Sequence, residues 1–343
     1  MIFRAEGDLL ATDAEALVNT VNTVGVMGKG IALQFKLAFP DNYVAYESAC
    51  KREEVQIGKM FVFRRENNPR LLINFPTKKH WKGKSKIEDI KSGLKALIEL
   101  VKKERIQSIA VPPLGCGNGG LEWDEVRPLI QQAFLELPEV QVQLFYPEGA
   151  PQAKEMKIAT KPPRMTPGRA VILQVLSRYV LPGYRLTLLE IQKLAYFLQE
   201  AGQPLLLNFQ KQKYGPYAEK LHHVLQRIEG HYVRGYGDRS RDVSLEMYPE
   251  AVREAEAFLA KETETQQRLY RVTALIDGYE TPYGLELLST VHWVVVHDGV
   301  ADGRRNSSPV VEAVHAWNEH KRRTFTPPRI VTAWERLKSE GWF

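Results

Sequence analysis

An apolar, β-branched run that breaks into glycine constrains this chain more than any other stretch. Residues 18–35 read Val-Asn-Thr-Val-Asn-Thr-Val-Gly-Val-Met-Gly-Lys-Gly-Ile-Ala-Leu-Gln-Phe. A strand ending at Asn22, a loop punctuated by Gly25, Gly28 and Gly30, and a helix opening near Ile31 follow from that pattern. Strand, glycine loop and helix N-terminus together make an anion site, because bare backbone N–H groups approach a phosphate where the helix dipole is positive. A strand-to-helix turn also carries glycine for steric reasons alone. A second run weighs against that reading. Residues 106–121 again place a short apolar strand, 108–111, before a loop with Gly115, Gly117, Gly119 and Gly120, and a helix from Trp123. Two such loops in one domain-sized segment fit a clamp on a diphosphate. Neither ends in Gly-Lys-Ser/Thr, and neither has Gly-x-Gly-x-x-Gly spacing, so a P-loop and a dinucleotide-binding turn are both excluded.

Strands alternate with helices as far as residue 146. The pattern predicts strands at 2–5, 17–22, 59–64, 70–75, 108–111 and 140–146, and helices at 31–39, 41–51, 87–104 and 123–137. A capped turn is expected at 12–16. The expected fold is α/β, a three-layer α/β/α domain over 1–149. Pro151, Pro162, Pro163 and Pro167 then mark a semi-rigid linker over 150–168. Residues 169–343 read as a mostly helical domain, with helices near 169–180, 188–200, 216–228, 249–261, 267–276, 283–296, 309–322 and 328–340. Extended chain is expected only at 205–209 and 232–247. Two domains agree with a length of 343 residues.

No apolar run is long enough to span a bilayer and no leader is evident, so no membrane partner is expected. Two cysteines, Cys50 and Cys116, make no disulfide framework, which points to a reducing, cytoplasmic setting. With no Cys/His cluster at ligand spacing, neither a metal nor a cofactor is expected. The net charge of +6 permits nucleic-acid contact without demanding it. Its placement says more: residues 78–86, Lys-Lys-His-Trp-Lys-Gly-Lys-Ser-Lys, interleave five lysines with His80 and Trp81. Such a run tracks phosphates and stacks a base, or else is a solvated loop. Trp293, Trp317, Trp334 and Trp342 read as core anchors of the helical part, His222-His223 as surface or partly buried, and 234–241 as a solvated turn or else a partner-binding hairpin.

Residues 1–149 resemble a macrodomain, the module that binds ADP-ribose, on Gly7-Asp8-Leu9, the stretch 19–31 and the Gly115-Cys116-Gly117-Asn118-Gly119-Gly120 loop. Gly28-Lys29-Gly30-Ile31-Ala32, Thr77-Lys78-Lys79 and Gly115-Cys116-Gly117 narrow the resemblance to lysine-dependent ADP-ribosyl glycohydrolases of the DarG antitoxin type. Gln192-Lys193-Leu194-Ala195-Tyr196 and Lys213-Tyr214-Gly215-Pro216-Tyr217 resemble SocA-like antitoxin domains, the second half of that arrangement. The resemblance implies an antitoxin that removes ADP-ribose from thymidine in single-stranded DNA, with a DarT-like toxin as partner and the second domain binding it. The alternatives are a non-catalytic ADP-ribose-binding module or a purely protein-binding antitoxin. It also implies roles: Asp8 accepts from the adenine amine, with Leu9 packed nearby and Tyr146 stacking on the ring. Asn22 bonds the distal ribose, and Gly28, Lys29, Gly30, Ile31, Gly115, Cys116, Gly117, Asn118 and Gly119 cradle the diphosphate. Lys78 carries the chemistry, either as an uncharged amine attacking the anomeric carbon or as a proton donor to the leaving base. Neighbouring Lys79, Lys82 and Lys84 and partial burial are expected to favour its uncharged form. Lys79, His80, Trp81, Lys82 and Lys84 are the candidate DNA contacts. A related branch carries an aspartate where this chain has Gly119, which removes one acid/base group and leaves room for a large leaving group.

Overall fold

The computed structural model describes every residue except 148–156, 181–183, 185 and 237–244. The described chain divides into two compact units, Met1–Lys161 and Pro162–Tyr236 with Asp242–Phe343.

The first unit is built on a six-stranded sheet of β1 (Ile2–Ala5), β2 (Ala16–Asn22), β3 (Phe61–Arg64), β4 (Leu71–Lys78), β5 (Ser108–Val111) and β6 (Gln141–Phe145). The spatial order is β1-β6-β5-β2-β4-β3, parallel throughout except for β3, which pairs antiparallel with β4. Side chains alternate across the sheet, and both faces are covered. Val18, Ile73, Phe75, Ile109 and Leu144 pack under α3 (Ile87–Glu104) and α4 (Trp123–Phe134). Leu17, Leu72, Ala110 and Phe145 face α1 (Gly30–Ala38) and the short 3-10 turn Leu9–Ala11. The expected α/β/α macrodomain layering is therefore present. Buried amides tie α2 (Pro40–Lys51) to the sheet: Asn19 Nδ2 donates to Asn74 Oδ1 at 2.9 Å, and Asn74 Nδ2 to Asn42 Oδ1 at 2.7 Å.

Several boundaries differ from the sequence reading. The turn expected at 12–16 forms earlier, at Leu9–Ala11, because the Asp8 carboxylate accepts from the Leu10 amide at 2.9 Å and caps it. Strand β4 runs past Phe75 to Lys78, carrying Pro76 along β2 with a register shift between Val21 and Asn22. Proline hid that extension, because it reads as a strand stop.

The second unit is mostly helical, with α5 (Pro167–Tyr179), α6 (Leu188–Glu200), α7 (Glu219–Ile228), α8 (Pro249–Leu259), α9 (Thr263–Ile276), α10 (Pro282–Val296), α11 (Ser308–Trp317), α12 (Glu319–Thr324) and α13 (Pro327–Ser339). The linker expected over 150–168 ends sooner than that. Thr166 caps α5, Pro167 opens it, and Met165 is already in the core of this unit. The earlier part of the linker, 150–156, lies outside the described residues, as do residues 237–241 of the expected hairpin. Residues 205–209 form no strand. The small β elements are β7 (Gln210–Gln212) with β8 (Gly215–Tyr217), and β9 (Val233–Arg234) with β10 (Glu246–Met247). β8 displaces the helix start expected at Pro216. The helix expected over 309–322 is two helices, because the Asn318 side chain caps a new one by accepting from the Lys321 amide. Trp334 and Trp342 are core residues, whereas Trp293 and Trp317 are half-buried at its edge.

Candidate active site

A parallel sheet offers a ligand crevice beyond the carboxyl ends of its strands, where successive connections leave in opposite directions. Here β2 is flanked by β4 on one side and β5 on the other, so the switch lies beside β2. The loops after β2, β4 and β5 all emerge at that edge. They contain, in order, the first glycine run, the basic run and the second glycine run.

The first loop is folded by Asn22. Its Oδ1 accepts from the amides of Val24 (3.0 Å) and Val26 (3.3 Å), and its Nδ2 donates to the Val26 carbonyl at 2.6 Å. The Tyr46 hydroxyl, fully buried, donates to the Asn22 carbonyl at 2.6 Å. The resemblance gives Asn22 to the distal ribose. The structure spends most of its amide on the loop and leaves one N–H for any such role among the described residues. Beyond it Gly28 is half-buried, Lys29 is exposed, and Gly30 and Ile31 are buried at the start of α1, whose N-cap Lys29 supplies no side-chain bond.

Lys78 stands at the last position of β4, opposite Asn22. Its Nζ donates to the Asn118 carbonyl of the second loop at 3.0 Å. The next residue, Lys79, accepts at its carbonyl from both the Thr23 amide and hydroxyl, each at 3.0 Å. The lysine expected to carry the chemistry therefore lies between the two glycine loops and is bonded to one of them. Burial, and then the Lys84 ammonium, hold its amine below the ordinary lysine value. Of the neighbours expected to contribute, Lys79 and Lys82 do not.

The second loop is packed so closely that its composition is dictated. A Cβ on Gly119 would lie 2.3 Å from both the Gly115 carbonyl and the Ser85 hydroxyl. An aspartate at that position is thus excluded by the loop itself. Cys116 is half-buried, with its thiol toward the Leu114 carbonyl at 3.5 Å.

Asp8 and Leu9 follow β1 and Tyr146 follows β6, two strands whose last residues, Ala5 and Phe145, pair. Asp8 is half-buried and its carboxylate caps the Leu9–Ala11 turn, while Leu9 belongs to the core. Tyr146 is held by the Arg4 guanidinium 4.4 Å from its ring centre and by the edge of Trp123 at 5.1 Å. Sequence reasoning missed both neighbours: the β1–β6 pairing brings in Arg4, and the start of α4 brings in Trp123.

The basic loop is exposed from Lys79 to Lys84. His80 and Trp81 stack at 5.4 Å, and the Lys82 ammonium lies 4.8 Å from the Trp81 ring centre. Trp81 is 41% exposed, with the Lys82 ammonium beside its ring.

In the second unit Glu200, His292 and His297 present possible metal-ligand atoms within 4.8 Å of one another. Their spacing in sequence carries no zinc signature. His292 is committed elsewhere: its Nδ1 is 2.6 Å from the Tyr196 hydroxyl, and its ring also bonds the Trp342 backbone.

The family whose description is Macro domain matches residues 18–130. A protein of Thermus aquaticus named DNA ADP-ribosyl glycohydrolase is 48% identical, over 99% of this chain and 94% of its own length. The chain belongs to the DNA ADP-ribosyl glycohydrolase family. A Mycobacterium tuberculosis member of the family is 42% identical over 98% of this chain and 99% of its own length. The solved macrodomain of Mycobacterium tuberculosis DarG is 55% identical, covering 43% of this chain and 99% of that one, at a TM-score of 0.43. A Thermosipho africanus protein, named a DNA ADP-ribosyl transferase-DNA ADP-ribosyl glycohydrolase fusion, is 43% identical over 41% of each chain. Membership makes this chain a hydrolase with its macrodomain in the first unit. Among its described residues, no helix is long and apolar enough to cross a membrane.

Proposed function

We propose that this chain removes ADP-ribose from thymidine bases of single-stranded DNA, with Lys78 as its catalytic residue, and so reverses a DarT-like toxin in the cytoplasm. The observation that carries the reading is the half-buried amine of Lys78, set between two glycine loops and bonded to the second through Asn118. Backbone amides of 28–31 and 115–119 bind the diphosphate. Asp8, Leu9 and Tyr146 receive the adenine, and the remaining N–H of Asn22 faces the distal ribose. The exposed run of Lys79, His80, Trp81 and Lys82 takes the flanking strand, ammoniums on phosphates and Trp81 on a base.

Burial and the Lys84 charge raise the fraction of Lys78 present as free amine, the form that can attack. The free amine adds to the anomeric carbon of the distal ribose, the carbon–nitrogen bond to thymine breaks, and thymine leaves with the proton released by the amine. Ring opening gives a lysine imine, which water hydrolyses to ADP-ribose and the free amine. The Thermosipho fusion joins both named activities in one protein, which supports pairing with a transferase toxin. The helical unit binds that toxin directly.

An oligonucleotide bearing one ADP-ribosylated thymidine tests the scheme. The intact chain releases ADP-ribose, Lys78→Ala slows release about 10³-fold, and Lys79→Ala does not. Cyanoborohydride during turnover fixes an ADP-ribose adduct on Lys78. A Lys78→Ala chain that still quiets the toxin assigns the remaining inhibition to the helical unit. Binding without release by the intact chain would make the first unit a reader of ADP-ribose only.

A further inference from the structure

The second glycine loop is gripped from the basic run at three successive points. Lys78 Nζ donates to the Asn118 carbonyl at 3.0 Å, and the Ser85 amide donates to the Gly119 carbonyl, also at 3.0 Å. The third point is Lys84, whose stem lies along Gly120. A Cβ built on Gly120 would be 2.6 Å from Lys84 Nζ and 3.2 Å from its Cδ. Gly120 has a φ of +76°, so the turn calls for glycine, and the Lys84 stem lies in the space that a side chain there would take. The other lysines of the run reach outward: Lys82 to Trp81, and Lys79 into solvent.

We propose that Lys84 is a positioning residue for Lys78: laid over Gly120, it holds the second glycine loop against Lys78 and keeps a fixed positive charge beside its amine. The proposal rests on Lys78 being the reacting group, and it separates Lys84 from the other lysines of the run, whose charges serve the DNA strand.

The electrostatics around Lys78 agree. After burial, Lys84 is the one charged group among the described residues that bears on the Lys78 amine. Asn22 stands opposite Lys78 on β2 and Asn118 of the second loop accepts from its amine, neither of them charged. A cation nearby disfavours a second one, so Lys84 raises the uncharged fraction of Lys78. A substrate phosphate that drew Lys84 away would reverse this, whereas Gly120 gives the ammonium a fixed place.

The test compares the full chain with Lys84→Gln, which keeps most of the stem and loses the charge, and Lys84→Arg, which keeps the charge. The first readout needs no turnover: the pH dependence of acylation of Lys78 by a small anhydride, followed by peptide mass spectrometry. In Lys84→Gln the reactive amine emerges at higher pH, and labelling at pH 7 falls. Lys84→Arg keeps the midpoint of the intact chain. The second readout is the pH profile of single-turnover release from saturating ADP-ribosylated oligonucleotide. Its Lys78 limb moves upward in Lys84→Gln by the same amount, and raising the pH restores the rate. A purely structural or DNA-binding role would lower release at every pH, or raise the KM, with the limb in place. An unmoved labelling midpoint in Lys84→Gln overturns the proposal. A moved midpoint in a chain that releases no ADP-ribose leaves the coupling of Lys84 to the Lys78 amine standing and removes the hydrolytic reading on which its catalytic meaning rests.

Discussion

Lys78 and Gly119 carry opposite lessons about what a residue's identity reveals. Lys78 was legible because Thr77-Lys78-Lys79 sits in order between two glycine loops. Its environment was legible only in part. Burial was expected, but the choice of Lys84 over Lys79 and Lys82 depends on which side chains turn back over the second loop, and adjacent residues in an irregular loop have no fixed period to read. Gly119 is the converse case. Its identity could be read as a missing aspartate, but the reason is the space taken by Ser85 and the Gly115 carbonyl. Gly119→Ala should therefore distort the loop, costing about 1–3 kcal/mol of stability as an overpacked site does. It should also weaken ADP-ribose binding at least tenfold by calorimetry. A variant that binds like the intact chain would mean that the loop yields without cost, and that Ser85 does not define it.

At the scale of elements, the strand that delivers Lys78 is fixed from below by α3. Phase and spacing made this helix plain in the sequence, because its apolar stripe repeats through Ile90, Leu94, Leu97, Ile98 and Val101. Gly93 interrupts the stripe for a reason that only packing reveals. A Cβ there would lie 2.2 Å from Phe75 Cζ and 2.4 Å from Cε1, so the helix rests directly on the ring. Phe75 lies three residues before Lys78 on β4. Gly93→Ala would gain helix propensity, but it must push α3 off the sheet or turn Phe75 out of its rotamer. The expected net result is a loss of about 1–3 kcal/mol, seen as a lower urea midpoint, together with weaker release because the end of β4 shifts. A stabilised Gly93→Ala would show that the Phe75 contact is loose. The elements that were misread share a cause of another kind. Asp8, Thr166 and Asn318 each fold their side chain onto a backbone amide and set a boundary where no apolar period changes.

Across the whole molecule, the second unit stores an unusual share of its buried polar groups around α6 and α10. Glu190 is fully buried, yet it closes a capping box with Thr187 and accepts from the Tyr179 and Tyr184 hydroxyls at 2.6 Å each. Lys193 is buried on the Pro216 carbonyl, and Lys321 on Glu286 and Thr290. Burial pushes Lys193 down to about 7 and Lys321 to about 8, from 10.5. It pushes Tyr184 and Tyr217 up to about 12, from 10.0. The two groups act on stability in opposite windows. Below 10.5 the unfolded lysines bind protons that the folded ones refuse, so stability should rise with pH from about 7 for Lys193 and about 8 for Lys321 until the unfolded lysines also lose theirs. Above 10 the unfolded tyrosines lose protons that the folded ones keep. Their contribution, intact below 10, is then lost as the pH rises toward 12. The second unit should thus be most stable near pH 9–10 rather than at neutrality, and thermal unfolding of the intact chain between pH 7 and 11 checks it. In Lys193→Met the rise from pH 7 should flatten, since the amine that refuses a proton is gone, while the decline above pH 10 should remain. A rise unchanged in that variant would move the origin of the effect to Lys321.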